Sequence, residues 1–175
     1  MLRVIAGLLT PKTGEVTVNG QLLTPGTYAP KTGALINAPV FLPNLSAFSN
    51  LSLLAKIKKQ ISADDIKHWM KQLELDPEDS TPVKKFSLGM NQKLGLIQAL
   101  MEKEDVILLD EPLNGLDLKS KKLVLQLLET LHQEKPATTF VIVSHDKFFQ
   151  DFATRFLYID GDTITERGSF DDQLL

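Results

Sequence analysis

A short apolar run, Val106-Ile107-Leu108-Leu109, leads straight into two adjacent carboxylates and a proline, Asp110-Glu111-Pro112. Four apolar residues are too few for a helix and suit a strand buried on both faces. Pro112 cannot donate to a ladder, so the strand stops there and both acids fall at its carboxyl end. Parallel sheets place their chemistry at that rim. On its own residues the pattern also suits a buried strand that merely ends in polar groups. A second apolar run, Thr139 to Val143, delivers Ser144-His145-Asp146 to its carboxyl end in the same way. A third chemical stretch, Phe86-Ser87-Leu88-Gly89-Met90, precedes a helix with Met90, Leu94, Ile97 and Met101 on one face. A serine hydroxyl, a glycine and unpaired amides at a helix amino terminus make an anion site. The same residues also make a plain serine-capped helix.

The elements that must carry these residues follow from pattern and punctuation. Met1 to Leu9 reads as a helix from its first residue, Thr10-Pro11-Lys12-Thr13-Gly14 as a stop and turn, and Glu15 to Gly20 as a short half-buried strand. Gly33-Ala34-Leu35-Ile36 is another short strand, opening at Asn37 into a loop that Pro39 and Pro43 fix in shape. Ser49 is placed to cap a helix carrying Leu51, Leu54 and Ala55. Ser62-Ala63-Asp64-Asp65 resembles a capping box ahead of a helix with Ile66, Trp69, Met70 and Leu73 on its apolar face, which makes Trp69 core and leaves Lys67 and His68 to solvent. After Asp117 a long amphipathic helix with Leu123, Leu127 and Leu131 runs to Pro136. Phe156 to Ile159 and Thr163 to Thr165 flank the turn Asp160-Gly161-Asp162.

Composition bounds the rest. The 175 residues are 43% apolar and 23% charged, enough for one domain with a real core. A formal charge of -3 without a basic tract argues against general nucleic-acid binding. No cysteine is present, which excludes disulfides, zinc-thiolate sites and thiol catalysis. No apolar run approaches the roughly 20 residues of a membrane-spanning helix, so any membrane connection comes through a partner.

Taken in order, these motifs resemble the nucleotide-binding domain of ATP-binding-cassette (ABC) transporters. Val106 to Asp117 looks like its Walker B segment and D-loop, Phe86 to Met90 its signature, His145 its switch histidine, and Asn37 stands where the Q-loop carries glutamine. The Ser-Leu-Gly-Met form with Gln92 following, and the Ala-Pro-x-Phe-x-Pro-Asn-Leu run, most resemble ATP-binding subunits of bacterial exporters for bacitracin and lantibiotic-like peptides. The signature departs twice, with Phe86 in place of leucine and Leu88 in place of the first glycine. The resemblance implies an α/β fold of the P-loop NTPase, ABC type. It has a mostly parallel sheet, a short antiparallel portion and a helical insertion from about Ser46 to Lys85, its subdomain running to about residue 100. The whole, residues 1–175, would be one ABC ATP-binding domain, incomplete at the amino terminus. No Gly-x-x-x-x-Gly-Lys-Ser/Thr occurs, so the expectation is that Met1 lies just past a missing Walker A loop, with roughly 40 residues of strand and loop absent.

The same resemblance assigns roles. Asp110 would hold Mg2+, Glu111 would orient and deprotonate the attacking water, and His145 would bond the γ-phosphate of ATP. Asn37 keeps the Q-loop's amide but reaches one methylene less far, or else only bonds its own backbone. Ser87, Leu88, Gly89 and Gln92 would contact the nucleotide of the opposite protomer in a head-to-tail dimer with a second nucleotide-binding domain, and Asp117 would bridge the two sites. The function implied is that of the ATP-binding subunit of an exporter of antimicrobial peptides or drugs. It would be cytoplasmic and peripheral, held at the inner face of a bacterial cell membrane by a transmembrane permease subunit. Without Walker A the chain alone is expected to bind ATP poorly. The alternative is a truncated, non-hydrolysing remnant acting as a binding or regulatory module. A soluble ABC ATPase of translation or repair would need a second cassette or a long coiled-coil insertion, and the sequence has neither.

Overall fold

The computed structural model describes residues 1–161 and 163–168. In chain order the elements are α1 (Leu2–Ile5), β1 (Thr17–Val18), β2 (Gln21–Leu22), β3 (Thr32–Leu35), α2 (Ala47–Lys58), α3 (Ala63–Gln72), α4 (Leu88–Leu100), β4 (Val106–Asp110), α5 (Leu118–Glu134), β5 (Thr139–Val143), β6 (Phe156–Asp160) and β7 (Thr163–Arg167). Single 3-10 turns lie at Val83–Lys85 and Lys147–Phe149.

β3, β4 and β5 form one parallel sheet in that order, while β1 with β2 and β6 with β7 are antiparallel hairpins. β4 is buried on both faces. Ile107 and Leu109 enter a large core with Leu51, Met70, Leu94, Ile97, Leu100 and Leu128, whereas Leu108 packs on the other side against Leu2 and Ala6. That division is the period of two of a strand, and it explains why the run shows no polar alternation. α4 lies directly on β3: a Cβ at Gly33 would come within 1.9 Å of the Ala99 carbonyl oxygen, so only glycine fits. Trp69, at 5% exposure, is core as the sequence implied, and the Ser62–Asp65 capping box is formed in both directions.

Four details differ from the sequence reading. The first helix is one turn, not nine residues. Gly7 at φ +75 ends it, with the Gly7 and Leu8 amides donating to the carbonyls of Val4 (3.1 Å) and Arg3 (2.8 Å). This left-handed stop needs glycine, since a Cβ there would lie 2.4 Å from the Thr27 carbonyl oxygen. α2 is capped by Ser46, whose hydroxyl accepts from the Ser49 amide at 3.2 Å, so Ser49 is the capped residue rather than the cap. The strand expected over Glu15 to Gly20 is confined to Thr17–Val18 because Asn19 (φ 50) and Gly20 (φ 75) already form the hairpin turn. β5 is half-buried, not buried: it pairs with β4 on one side, and among the described residues no strand pairs with its other edge. The β6–β7 turn contains Gly161, and Asp162 lies outside the described residues.

Candidate functional site

The register of the sheet brings three loops to one rim. Leu35 pairs with Leu109, and Asp110 with Val143, so the segments beginning at Ile36, Glu111 and Ser144 leave the sheet at the same level. Asp110 is half-buried as the last residue of β4, and the Asn37 amide donates to its Oδ2 at 3.4 Å. Asn37 manages this at φ 61, a left-handed turn that asparagine tolerates better than most residues.

Glu111 is the most constrained residue of the rim. Its amide donates to the Val143 carbonyl at 2.8 Å, extending the β4–β5 ladder by one residue, and its backbone then turns left-handed at φ 44. Its carboxylate Oε1 lies 2.9 Å from His145 Nδ1, and Oε2 accepts from the Ser144 hydroxyl at 3.4 Å. The His145 side chain is 61% exposed and that of Glu111 31%, so the pair opens to solvent. His145 is held from below. The Ser144 hydroxyl accepts the Asp146 amide (3.0 Å), Asp146 accepts from the Phe148 amide (3.1 Å), and Lys121 of α5 pairs with the Asp146 carboxylate. Burial acts to raise the Asp146 carboxyl, but Lys121 and the Phe148 amide outweigh it and hold it below its ordinary range.

A second group of predicted residues gathers at the start of α4. Ser87 caps the helix, accepting from the Met90 amide at 3.2 Å, which leaves the Leu88 and Gly89 amides without intrahelical acceptors. Ser87, Leu88 and Gly89 share one groove with Gly115, Asp117, Glu74 and Lys93. Contact there is close: a Cβ on Gly89 would lie 2.9 Å from the Gly115 carbonyl oxygen, and one on Gly115, at φ +70, 2.7 Å from the Leu88 side chain. Asp117 caps α5 by accepting the Ser120 amide at 2.7 Å, which holds its carboxyl below the usual aspartate range.

A family model described as ABC transporter matches residues 1–114. The chain belongs to the ABC transporter family. An ABC transporter ATP-binding protein of Bacillus subtilis, YybJ, is 40% identical over 148 residues, covering 84% of this chain and 67% of that protein. The bacitracin transport ATP-binding protein BcrA of Bacillus licheniformis is 32% identical over 142 residues, covering 80% of this chain and 46% of its own length, so the chain spans under half of that relative. The fold matches a dimeric bacterial ABC transporter cassette with a TM-score of 0.82 at 26% identity, over 96% of this chain and 80% of the cassette. A dimeric cassette bound to ADP and Pi shares the fold at the same TM-score and 24% identity, over 96% of this chain and 80% of that one.

Within this ABC cassette fold, the expected residues fall into two places. Asp110, Glu111, His145 and the Asn37 amide meet at the sheet rim, whereas Ser87, Leu88, Gly89 and Asp117 line the groove. Gln92 joins neither surface. It is 7% exposed, and its amide donates to the carbonyls of Glu111 (3.1 Å) and Pro112 (3.0 Å). Five positions past Ser87, α4 has turned that side chain beneath the rim.

Sequence reasoning missed Asn50. Only 4% exposed, it accepts from the Leu42 amide (2.8 Å) and donates to the carbonyls of Leu42 (3.2 Å) and Ser46 (3.0 Å), pinning the loop that follows Asn37. A lone amide on a helix face otherwise made of Ala47, Leu51 and Ala55 was its only signal. Among the described residues no three His, Asp or Glu side chains could close around a metal.

Proposed function

We propose that this chain is the ATP-binding subunit of an ABC exporter, hydrolysing magnesium ATP at the Asp110–Glu111–His145 rim to drive transport of an antimicrobial peptide or drug. The observation that carries this reading is the Glu111 carboxylate held by His145 Nδ1 at 2.9 Å and by the Ser144 hydroxyl at 3.4 Å, beside Asp110. Likeness to a bacitracin transport protein supports the substrate class.

Asp110 would hold Mg2+, chiefly through water. When bound, that ion neutralises charge on the β- and γ-phosphates. Glu111 takes a proton from the water whose oxygen attacks the γ-phosphorus, while the bond to the ADP oxygen breaks and the electron pair leaves with ADP. Ser144 keeps one carboxylate oxygen engaged, and the other, which His145 Nδ1 holds in this structure, is free to take the proton once His145 turns to the phosphate. His145 donates to the γ-phosphate, stabilising charge that moves towards the leaving oxygen. Ser87, Leu88 and Gly89 contact the nucleotide of a second cassette, and Asp117 lies between the two sites. A transmembrane permease carries the cargo and holds the subunit at the cytoplasmic face of the membrane. No helix among the described residues is long and apolar enough to cross a membrane.

The test is Glu111→Gln in the full-length protein. It keeps shape and hydrogen bonding but loses the base, so ATP binding should persist while turnover falls roughly 100-fold or more. Turnover near wild type removes Glu111 from this role. A second reading is that the chain hydrolyses no nucleotide of its own and lends its Ser87–Gly89 face to an intact partner. What supports it is that the Ser87–Gly89 groove is a surface apart from the rim. ATP retained by the chain without a partner would decide against it.

A further inference from the structure

Gln92 spans the two halves of the site from inside the protein. Both hydrogens of its amide are used, one on the Glu111 carbonyl (3.1 Å) and one on the Pro112 carbonyl (3.0 Å), in surroundings that leave the residue 7% exposed. Five residues earlier on the same helix, Ser87 caps the groove. Gln92 is therefore a rigid link, less than two helical turns long, between the groove and the residue read above as the base.

The backbone at Glu111 gives the link something to do. A glutamate at φ 44 stands where side chains bearing a Cβ rarely go, and Pro112 further restricts the residue before it. Such a conformation persists only where its surroundings determine it. The Glu111 amide is fixed by the Val143 carbonyl at 2.8 Å, and its carbonyl accepts from the Asn114 amide at 3.1 Å and from Gln92. With both peptide planes fixed, the direction of the Cα–Cβ bond is fixed too, and with it the aim of the carboxylate.

We propose that Gln92 is a positioning residue for catalysis: by clamping the carbonyls of Glu111 and Pro112 it aims the Glu111 carboxylate at the rim, and through α4 it makes that aim depend on the seating of Ser87, Leu88 and Gly89. This rests on Glu111 acting as the base. It replaces the nucleotide contact that the sequence resemblance assigns to Gln92, because a side chain beneath the rim with both donors spent is in no position to make one.

The test uses the full-length protein, ATP as ligand, and four variants: Glu111→Gln, Gln92→Met, Gln92→Glu, and Glu111→Gln combined with Gln92→Met. Methionine keeps the volume and loses both donors. Turnover by Gln92→Met should fall roughly 10- to 100-fold, as expected when a catalytic group is misplaced by a fraction of an ångström, with KM for ATP within about twofold of wild type. If Gln92 acts through Glu111, the methionine should cost nothing further once Glu111 is glutamine. Gln92→Glu sets carboxylate oxygens against two carbonyls and regains one donor when protonated, so its turnover relative to wild type should rise as pH is lowered.

Each contrary result is decisive. Wild-type turnover by Gln92→Met overturns the proposal. So does a raised KM with unchanged kcat, which would put Gln92 on the nucleotide, or a further loss in the combined variant. If circular dichroism shows that neither single Gln92 variant folds, the residue is structural and the proposal fails. Near-wild-type turnover by Glu111→Gln would overturn the base role together with this proposal, whereas a large loss there with none in Gln92→Met overturns this proposal alone.

Discussion

Glu111 and Asn50 show how much one side chain can hold here. Asn50 satisfies the amide and carbonyl of Leu42 and the carbonyl of Ser46 from a buried position. Asn50→Ala leaves polar backbone groups without partners, and should lower stability by about 1–3 kcal/mol. The check is a fall in urea midpoint at unchanged slope. It should also loosen the segment from Asn37 to Leu45, so amide exchange at Leu42 should speed up more than the global change explains. Neither residue's task is written in local sequence: the positive φ at Glu111 is imposed by the β5 carbonyl and by α4, which contribute Val143 and Gln92 from far along the chain. The acids themselves were legible, because a short apolar run stopped by proline places them at a strand end whatever surrounds it.

At the scale of elements, caps and edges set where the structure gives way. The carboxyls of Asp65 and Asp117 lie below their ordinary range because they accept backbone amides at the starts of α3 and α5, from Ser62 and Ser120. A depressed folded-state pKa contributes stability that is present above the unfolded value and lost as pH falls through the folded one. Tm should therefore fall as pH drops below the ordinary aspartate range, and fall less in Asp65→Asn and Asp117→Asn, which no longer titrate there, as thermal melts across acid pH would show. β5 is a second weak place. Among the described residues no strand pairs with its outer edge over Thr139–Val143, and such an edge invites pairing between chains. The 175-residue chain should self-associate with rising concentration in sedimentation velocity, and Val141→Lys should reduce this; a monodisperse monomer at all concentrations would exclude it. The burial of β4 could be read from pattern. The openness of β5 could not be read from its own residues, since Thr139-Phe140-Val141-Ile142-Val143 has the composition of a covered strand and exposure depends on neighbours. The brevity of α1 was hidden for a similar reason: Gly7 reads as a tolerable helix residue until Thr27 is seen against it.

For the whole molecule, the separation of the rim from the Ser87–Gly89 groove is the gap that the proposed head-to-tail pairing of two cassettes would close. If Glu111 of one cassette serves the nucleotide that meets Ser87 of another, then Glu111→Gln and Ser87→Arg each disable both sites of a homodimer. Mixing the two full-length variants collects both lesions in one site and leaves the other intact. Mixed samples should then recover part of the ATPase activity, with crosslinking to confirm mixed dimers. Absence of recovery in confirmed mixed dimers, while wild type paired with either variant stays active, would place both groups in the same protomer's site. The parallel sheet also bears on how the chain reaches this structure. Asn37 and Asp110 are 73 residues apart, and Glu111 and His145 are 34 apart, yet each pair meets across adjacent strands. Contacts of such high sequence separation close large loops before they return anything, so they form late and slowly, after local helical contacts. A nascent or partly unfolded chain, in which those strands have not yet met, offers no assembled rim. If the rim works as proposed, its chemistry is confined to molecules that have finished folding, and a chain that stops short of assembling it spends no ATP.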